Sequence, residues 1–567
     1  MNMMKRLSIL MACAYCAVSF AAVTTTASTK EQSESAEVTT EDVALQKALA
    51  TITRENLQQH LDYLASDELK GRMSGEPGYD AAAKYVAEQF AALGVEPAGL
   101  FDGWFQDVPL LRRQIHTESA AMTVHSDRGD ASLRWKDDFV MGGDRVRDET
   151  SVRAEVVYAG YGVHAPELGY SDYEGVDVDG KIIAIFGGAP KSFPANERAF
   201  YSSGRTKRDE MVKRGAVGYI YMRSRVDQKR NSWDVVTLNA GVTAGMSWRN
   251  IQGDVADHHP ELQGAAQISE GVAPDIFELT PMTFEQALDA ADQGKPASQP
   301  LGIEMTLSQK SEHTDATSPN VIGVIRGSDP ELADEYIVYT AHLDHIGIGT
   351  PVDGDAIYNG FYDNAMGTAL LIEAARAFKA LPQAPERSIL LVAVTGEERG
   401  LLGSDYFAQY PTVPSEAMIA NINLDMPLLL YPLADIIAFG AQHSTLDVPI
   451  ARAVAAEDFA LTPDPIPEEV LFVRSDQYSF VRQGVPAVFL VPGFTSSDPD
   501  IDGQALFQGH LKLHYHRPTD DLSRPVDWPS ALRFARANVR IGLEISKDKE
   551  PPAWHEGDFF GDKFARE

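Results

Sequence analysis

Three apolar runs in the second half of the chain are followed by residues of types that can bind metals or transfer protons. His342 and Asp344 follow the first run, Glu397 and Glu398 follow the second, and Asp425 follows the third. Imidazole and carboxylate groups are common ligands of zinc, and a carboxylate can also act as a general base. These residue types indicate metal-assisted hydrolysis, provided that the fold brings the positions together.

The apolar runs themselves predict the elements that would do this. Strands are expected at 336–341, 389–394, 418–424 and 487–491, and amphipathic helical segments lie between them. This alternation is typical of an α/β fold with helices on both faces of a central sheet. Ligand sites in such sheets lie at the carboxyl ends of the strands, which is where the polar residues stand.

A cluster of carboxylates in one crevice would repel itself unless cations balanced the charge. The candidate ligands of such cations are His342, Asp363, Glu398, Asp425 and His516. Two imidazoles and three carboxylates suit two zinc ions that share one aspartate. Asp363 is the expected shared ligand, because it stands just before a predicted helix at 368–379 whose N-terminal dipole favours an anion.

The adjacent glutamates at the end of the second run should have different roles. Neighbouring side chains diverge at a strand end, so one can bind metal while the other transfers a proton. We assign the metal to Glu398 and the role of general base to Glu397. Asp344 is expected to orient His342 from behind rather than to bind the same ion.

Five segments in this order resemble the two-zinc metallopeptidases that include secreted bacterial aminopeptidases and glutamate carboxypeptidase. The segments are 341–345, 362–365, 396–398, 423–426 and 515–520. The resemblance implies a zinc-exopeptidase fold, with a mixed central sheet flanked by helices. It implies metal ligation by the five candidate ligands, proton transfer by Glu397 and two zinc ions per chain.

Segments outside the site extend the resemblance. Residues 64–72 and 474–480 resemble other motifs of the family, and 160–162, 177–181 and 213–216 resemble the β-rich protease-associated domain that is often inserted in it. The expected organisation is a signal peptide 1–21, a flexible leader 22–44, a first peptidase part 45–150, the inserted domain 151–300, the catalytic part 301–550 and a tail 551–567.

Several residues near the late histidine keep alternative interpretations. His510 and His514 compete with His516, but only His516 has Asp520 at the spacing of the family. The resemblance implies that Tyr515 could hydrogen-bond the oxyanion, and an ordinary packed tyrosine is the alternative. His345 is expected in the pocket wall, or in contact with a ligand from behind, rather than among the ligands.

The favoured function is removal of the N-terminal residue of peptides by a metal-bridged hydroxide. A carboxypeptidase of the glutamate-carboxypeptidase type is the main alternative. It would need cations to hold a terminal carboxylate, and the late segment supplies Arg474, for which an ion pair with Asp476 or a nearby acid is the other interpretation. A non-catalytic receptor and a zinc-dependent cyclase acting on N-terminal glutamine are further alternatives.

The composition limits the partners and the compartment. The 567 residues carry a net charge of −33, which disfavours nucleic acids and anionic membranes. Lys5 and Arg6 followed by a short apolar run predict a cleaved export signal, so we expect no membrane span and a periplasmic or extracellular location. A lipid on Cys13 is a weaker alternative.

Overall fold

A computed structural model describes residues 40–566 of the chain. The chain divides after Val43, and the compact unit Ala44–Glu567 holds nearly all of the described residues. The predicted signal peptide 1–21 lies outside them, as does most of the predicted leader. The first helix begins at Thr40, inside the segment that was expected to be a flexible leader.

The described chain contains β-strands and α-helices in about equal measure. The strands are β1 (Glu96–Pro97), β2 (Phe105–Ile115), β3 (Ala121–Ser126), β4 (Gly129–Ser132), β5 (Phe139–Val140), β6 (Glu149–Tyr158), β7 (His164–Ala165), β8 (Tyr170–Ser171), β9 (Ile182–Phe186), β10 (Gly218–Met222), β11 (Gly245–Trp248), β12 (Gly264–Ile268), β13 (Gln299–Ile325), β14 (Tyr336–His342), β15 (Gly347–Val352), β16 (Asp355–Tyr358), β17 (Ser388–Val394), β18 (Met418–Asn423), β19 (Asp435–Phe439), β20 (Ala460–Thr462) and β21 (Ala487–Pro492).

The helices are α1 (Thr40–Leu49), α2 (Arg54–Leu64), α3 (Pro77–Ala92), α4 (Ala195–Ser202), α5 (Gly204–Lys213), α6 (Arg225–Arg230), α7 (Trp233–Thr237), α8 (Ala273–Phe277), α9 (Phe284–Asp292), α10 (Met366–Ala380), α11 (Leu402–Gln409), α12 (Asp447–Ala455), α13 (Gln477–Val481), α14 (Gly503–Leu513), α15 (Trp528–Lys547) and α16 (Phe559–Phe564).

The first sheet has the order β11-β2-β13-β17-β14-β18-β21-β19-β20. Its four central strands, β17, β14, β18 and β21, run parallel, and the flanking strands β13 and β19 are antiparallel to the central strands with which they pair. The four strands predicted from the apolar runs are these four, and each differs from its predicted bounds by no more than one residue at either end. The mixed central sheet is therefore confirmed.

Helices cover both faces of this sheet. Along β14, Ile337 and Tyr339 join a core with helices α2, α3, α10, α12 and α15, whereas Val338 on the opposite face packs in a core with α11 and α13. The alternation of side chains along a strand produces these two cores. Strands buried on both faces read as continuous apolar runs, which explains why they could be predicted.

A second sheet is built on the first half of β13 and has the order β4-β3-β13-β6-β9-β10-β12-β5. Strands β6, β9, β10 and β12 are parallel to one another. The 27-residue strand β13 leaves this sheet and continues into the first sheet, so it joins the two. The second sheet extends beyond residues 151–300, because it begins with β3 at Ala121 and continues along β13, which starts at Gln299. Strand β11 lies within 151–300 but pairs with the first sheet. The proposed boundaries of the insert therefore remain a prediction.

A capping residue in the sequence fixes the start of helix α2. The hydroxyl of Thr53 accepts a hydrogen bond from the Asn56 N–H at 3.2 Å and caps α2, as its position in the sequence predicts.

Among the described residues, no helix combines the length and the apolar composition that a membrane crossing requires.

Candidate metal centre

Parallel pairing of β14 with β17 and β18 brings three segments to one edge of the first sheet. His342 is the last residue of β14, Glu397 and Glu398 lie three and four residues beyond β17, and Asp425 lies two residues beyond β18. Residues from distant parts of the sequence therefore meet at the carboxyl ends of the strands, as the sequence predicted.

One group of possible ligands forms around His342. Its Nε2 atom lies 3.0 Å from Asp425 Oδ1 and 3.2 Å from Asp363 Oδ1. All three side chains are buried, and their ligand atoms are close enough together to hold one ion. These are three of the five ligands that the sequence predicted.

A second group forms around Glu398 and uses the other oxygen of the same aspartate. His516 Nε2 lies 2.9 Å from Glu398 Oε2 and 3.3 Å from Asp363 Oδ2. The Oδ1 atom of Asp363 therefore faces the first group and its Oδ2 atom faces the second. This is the geometry expected of a carboxylate that bridges two metal ions.

His345 belongs to this second group as well. Its Nδ1 atom lies 2.6 Å from Glu398 Oε1 and 3.8 Å from Asp363 Oδ2, so these three residues could themselves hold an ion. The sequence placed His345 in the pocket wall or behind a ligand, and the structure places it in contact with the predicted ligand Glu398. Its spacing of three residues from His342 was the available signal.

Two side chains hold the bridging aspartate in place. Asp363 lies in a turn, Phe361–Ala365, directly before α10. The Asp520 carboxylate accepts the backbone N–H of Tyr362 and, at 3.1 Å, the N–H of Asp363. Asn364 donates to Leu424 O at 2.8 Å and so ties the turn to the segment that carries Asp425.

Buried polar atoms without a hydrogen bond show that the residues fit a metal. Asp363 Oδ2, His345 Nε2 and His516 Nε2 are all buried, and none forms a hydrogen bond of good geometry with another described residue, although His516 Nε2 lies within 3.3 Å of two carboxylates. Polar atoms buried in this way are costly unless a ligand satisfies them. The donor set of imidazoles and carboxylates is the one that zinc prefers.

Asp344 contacts the turn with the two glutamates more closely than it contacts His342. Its Oδ1 and Oδ2 atoms accept the backbone N–H groups of Glu397 at 3.1 Å and Glu398 at 3.4 Å. The His342 Nδ1 atom lies 3.1 Å from the backbone O of Asp344 but 3.9 Å from its carboxylate. Asp344 therefore orients His342 through its main chain and orients the glutamates through its side chain.

The environment separates the two glutamates electrostatically. Burial and the nearby Asp363 would raise the pKa of Glu398, but His516 and His345 outweigh them and lower it to about 2. Burial raises the pKa of Glu397 well above its usual value, with Asp425 and Glu398 adding to this effect and His342 opposing it. Paired carboxyl groups with pKa values driven apart are typical of divided acid–base and binding roles.

Tyr515 stands over the second group. Its ring stacks on His516 with centroids 3.8 Å apart, and within the described part of the chain its hydroxyl has no hydrogen-bond partner. Burial raises the pKa of this hydroxyl well above its usual value, so it remains a donor. The sequence prediction of an oxyanion donor fits this placement.

The competing histidines lie apart from both groups. His510 stands 3.9 Å from the Asp520 carboxylate, and burial, with His514 adding, lowers its pKa to about 4. His514 contacts Thr519 at 2.9 Å and Arg524. The choice of His516 over its two neighbours agrees with these positions.

Sequence reasoning assigned no role to a buried polar cluster beside Asp425. The Ser475 hydroxyl donates to Asp425 Oδ2 at 2.6 Å, and Asn423 donates to Ser475 Oγ at 2.8 Å. Next to them both carboxylate oxygens of Asp476 are buried and form no hydrogen bond with any residue that the structure describes, and burial raises the pKa of Asp476 to about 7. The segment 474–480 was recognised as a motif, but only the fold shows what it contacts.

Arg474 does not pair with Asp476. Its guanidinium lies 3.5 Å from Glu469 Oε2, and Arg230 Nε shares that carboxylate at 2.5 Å. The sequence left open an ion pair with a nearby acid, and Glu469 is that acid. Arg474 is thus already engaged at the surface of the protein.

Comparison with known proteins agrees with the fold and the site. The model of peptidase family M28 matches residues 320–541. Aminopeptidase YwaD of Bacillus subtilis (strain 168) is 34% identical over 125 residues, which cover 22% of this chain and 24% of that protein. Carboxypeptidase Q of Xenopus laevis is 28% identical over 206 residues, which cover 36% of this chain and 39% of that protein.

The chain thus matches well under half the length of these curated relatives. A solved aminopeptidase from Aneurinibacillus sp. strain AM-1 shares the fold with a TM-score of 0.52 and 18% identity, covering 88% of this chain and 96% of its own. The family match includes every candidate metal ligand. Residues 320–541 therefore match peptidase family M28, in agreement with the resemblance to zinc metallopeptidases found in the sequence.

Proposed function

We propose that the protein is a zinc-dependent aminopeptidase with two ions per chain. The observation that carries the proposal is the position of Asp363, whose two oxygens face two separate groups of ligands. His342 and Asp425 would complete one ion site. Glu398 and His516 would complete the other, and His345 lies close enough to join it.

Zinc at these positions would act as a Lewis acid toward the scissile carbonyl and would make a water molecule acidic. Glu397 would take the proton from the attacking water and deliver it to the leaving amine. Its carboxylate forms no hydrogen bond with other described residues, and burial raises its pKa well above the usual value, which favours uptake of a proton.

Two further residues would support this step. Asp344 is a positioning residue, because its carboxylate fixes the backbone of the turn that carries both glutamates. The unpaired hydroxyl of Tyr515 could donate to the oxyanion that develops on the substrate, since it stacks directly on His516.

The charge around the site favours binding of a free amino terminus. Asp425 and Asp476 place two carboxyl groups beside the site, and both oxygens of Asp476 lack a hydrogen-bond partner among the described residues. A free amino group can donate hydrogen bonds to such oxygens, whereas a terminal carboxylate cannot. Arg474 is engaged with Glu469, so this cation is not free to hold a terminal carboxylate.

One observation keeps carboxypeptidase action as a second candidate. Arg399 follows the two glutamates, and its Nε atom is buried without a partner, although its other nitrogens contact Thr243 Oγ1 at 3.4 Å and Ile346 O at 3.2 Å. A guanidinium with a free donor could hold a terminal carboxylate. The matching segment of carboxypeptidase Q is consistent with this alternative.

The region 151–300 would act as a protease-associated insert that shapes the entrance for peptides. The contacts that link it to the part of the chain that carries the metal centre include Thr243 with Arg399, Asn239 Oδ1 with Thr350 N at 2.9 Å, and Arg230 with Glu469. The proposed export to the periplasm or the medium suits an enzyme that acts on peptides and depends neither on nucleic acid nor on a membrane span.

A mixed peptide library analysed by mass spectrometry tests the proposal. The zinc-loaded protein should shorten peptides from the amino end, and a chelator or Glu397→Gln should stop this. Shortening from the carboxyl end would establish the second candidate. Peptides that stay intact with the zinc-loaded wild type would contradict both.

A further inference from the structure

A cavity of about 190 Å³ lies where the two sheets join, and none of its lining residues belongs to the metal centre. Three arginines reach it from separate elements. Arg113 stands on β2, Arg145 in the segment before β6, and Arg208 on α5. The volume has room for several water molecules, and therefore for a small ionic group.

The carboxylates in the cavity wall are already occupied by other partners. Asp144 lies 3.3 Å from the guanidinium of Arg147 and also accepts two backbone N–H groups of its own turn, at 2.9 and 2.7 Å. Asp257 pairs with Arg205 at 2.7 Å and lies 3.9 Å from Arg208. The three lining arginines therefore have little negative charge left to balance them.

The arginines also stand close to one another. The guanidinium groups of Arg113 and Arg145 donate to the same hydroxyl, Ser247 Oγ, at 3.0 and 2.9 Å. Burial, together with the charge of Arg145, lowers the pKa of Arg113 to about 10. Like charges held this close are costly unless an anion lies between them.

Buried donors in the same wall lack partners. Arg208 Nε and His258 Nε2 are both buried and have no hydrogen-bond partner among the described residues. These atoms belong to residues that line the cavity, on α5 and on the segment before β12. Arg208 thus has an unsatisfied guanidinium nitrogen beside two other arginines. This is the arrangement expected of an anion site without its ligand.

We infer that this cavity binds a small oxyanion, a phosphate or carboxylate group, through Arg113, Arg145 and Arg208. Planar guanidinium groups match the paired oxygens of both anions, and three of them from separate elements would surround one group. The inference is independent of the proposed peptidase activity, because it concerns a different set of side chains.

Calorimetric titration of the zinc-loaded full chain tests the inference. Phosphate and succinate are the two probes, at constant ionic strength maintained with sodium chloride, and their relative affinities decide which oxyanion the site prefers. We expect saturable binding of one anion per chain. Arg145→Gln and Arg208→Gln should each weaken it at least tenfold, because each removes a charge-assisted hydrogen bond.

Arg153→Gln is the matched control, because Arg153 pairs with Glu304 on the exposed face of the second sheet and lies outside the cavity. It should bind as the wild type does. Melting temperatures without anion verify that each variant is folded, and either cavity variant suffices if the other is unstable. No saturable binding of either probe would overturn the inference, as would equal weakening by Arg153→Gln.

The metal centre could also attract an anion, and the variants separate the two sites. Binding that persists in both cavity variants but disappears after removal of zinc would place the anion at the metals and overturn the inference. Binding that the cavity variants lose while their peptidase activity remains would support it.

Discussion

At the scale of single residues, the adjacent glutamates after β17 show how one turn can carry two kinds of chemistry. Glu398 contacts His345 and His516, so its carboxylate is held in place. Glu397 has no such partner among the described residues, although both glutamates are half-buried. The difference in contacts, rather than in residue type, is the basis for the separate roles that we propose.

Exchange of the two glutamates for glutamine should therefore have different effects. Glu397→Gln should keep its zinc and its fold but lose at least two orders of magnitude in kcat, since general acid–base catalysis contributes about 10²- to 10⁴-fold. Glu398→Gln should instead bind zinc more weakly and regain part of its activity in excess zinc. Steady-state kinetics and metal analysis of both variants decide this, and reversed behaviour would exchange the roles.

The bridging position of Asp363 gives a second prediction at this scale. The wild type should bind about two zinc ions, Asp363→Ala should lose both, and Asp425→Ala should lose mainly one, because only Asp363 faces both groups. Elemental analysis after dialysis measures the zinc content. Equal losses in the two variants would contradict a bridging role for Asp363.

At the scale of elements, one buried arginine ties together the segments around the metal centre. Arg72 follows α2 and donates to Leu343 O at 2.9 Å, Asn359 O at 2.6 Å, Gly360 O at 3.0 Å and also Leu64 O. Burial lowers its pKa to about 10, and the site carboxylates oppose that shift. The first part of the chain thereby holds the loops that carry His345 and Asp363.

Arg72→Met should reduce the free energy of unfolding by about 3 kcal/mol or more, because it leaves several buried carbonyls without donors. Urea unfolding followed by circular dichroism measures the change. Lys84→Met is the control, since the exposed Lys84–Glu88 pair contributes less than about 1 kcal/mol. A loss as small as that of the control would show that Arg72 does not hold these loops.

Helix α5 contains a buried lysine that should make stability depend on pH. Burial lowers the pKa of Lys207 to about 7, and Asp172 and Asp227 oppose that shift. Between pH 7 and 9 the unfolded chain keeps a proton that the folded chain has lost, so stability should rise with pH, by up to about 1.4 kcal/mol per pH unit.

Lys207→Met removes the titrating group and should flatten that rise. Urea unfolding at pH 7, 8 and 9 measures the slope for both proteins. The slope, rather than the absolute stability, is the readout, because methionine also leaves Phe186 O without its donor. Equal slopes in the wild type and the variant would mean that Lys207 stays charged when the protein is folded.

At the scale of the whole molecule, the features best predicted from the sequence are those that depend on local hydrophobic pattern and on the order of motifs along the chain. The four central strands were predictable because burial on both faces leaves continuous apolar runs, and three of the five candidate ligands, His342, Glu398 and Asp425, stand just after those runs. The capping role of Thr53 was likewise visible in the sequence.

Features that depend on distant contacts could not be predicted in this way. The contact between His345 and Glu398, and the arginine-lined cavity between the sheets, require the relative placement of segments far apart in the chain. The path of β13 through both sheets is another example, because no local signal marks where a strand changes its neighbours. The bounds of the insert also depend on this strand.

The net charge of the whole chain is consistent with the proposal that the enzyme binds the amino end of a peptide rather than its carboxyl end. A net charge of −33 favours a cationic amine over an anionic carboxylate as the bound terminus. Binding of the terminal amine is what would make the enzyme an aminopeptidase.

Cleavage of a pair of blocked peptides by the zinc-loaded enzyme tests this most directly. One peptide carries an acetylated amino terminus and the other an amidated carboxyl terminus, with the same sequence in both. We predict that acetylation abolishes cleavage and that amidation leaves the rate nearly unchanged. Cleavage of the acetylated peptide together with protection of the amidated one would contradict the proposed function and establish a carboxypeptidase.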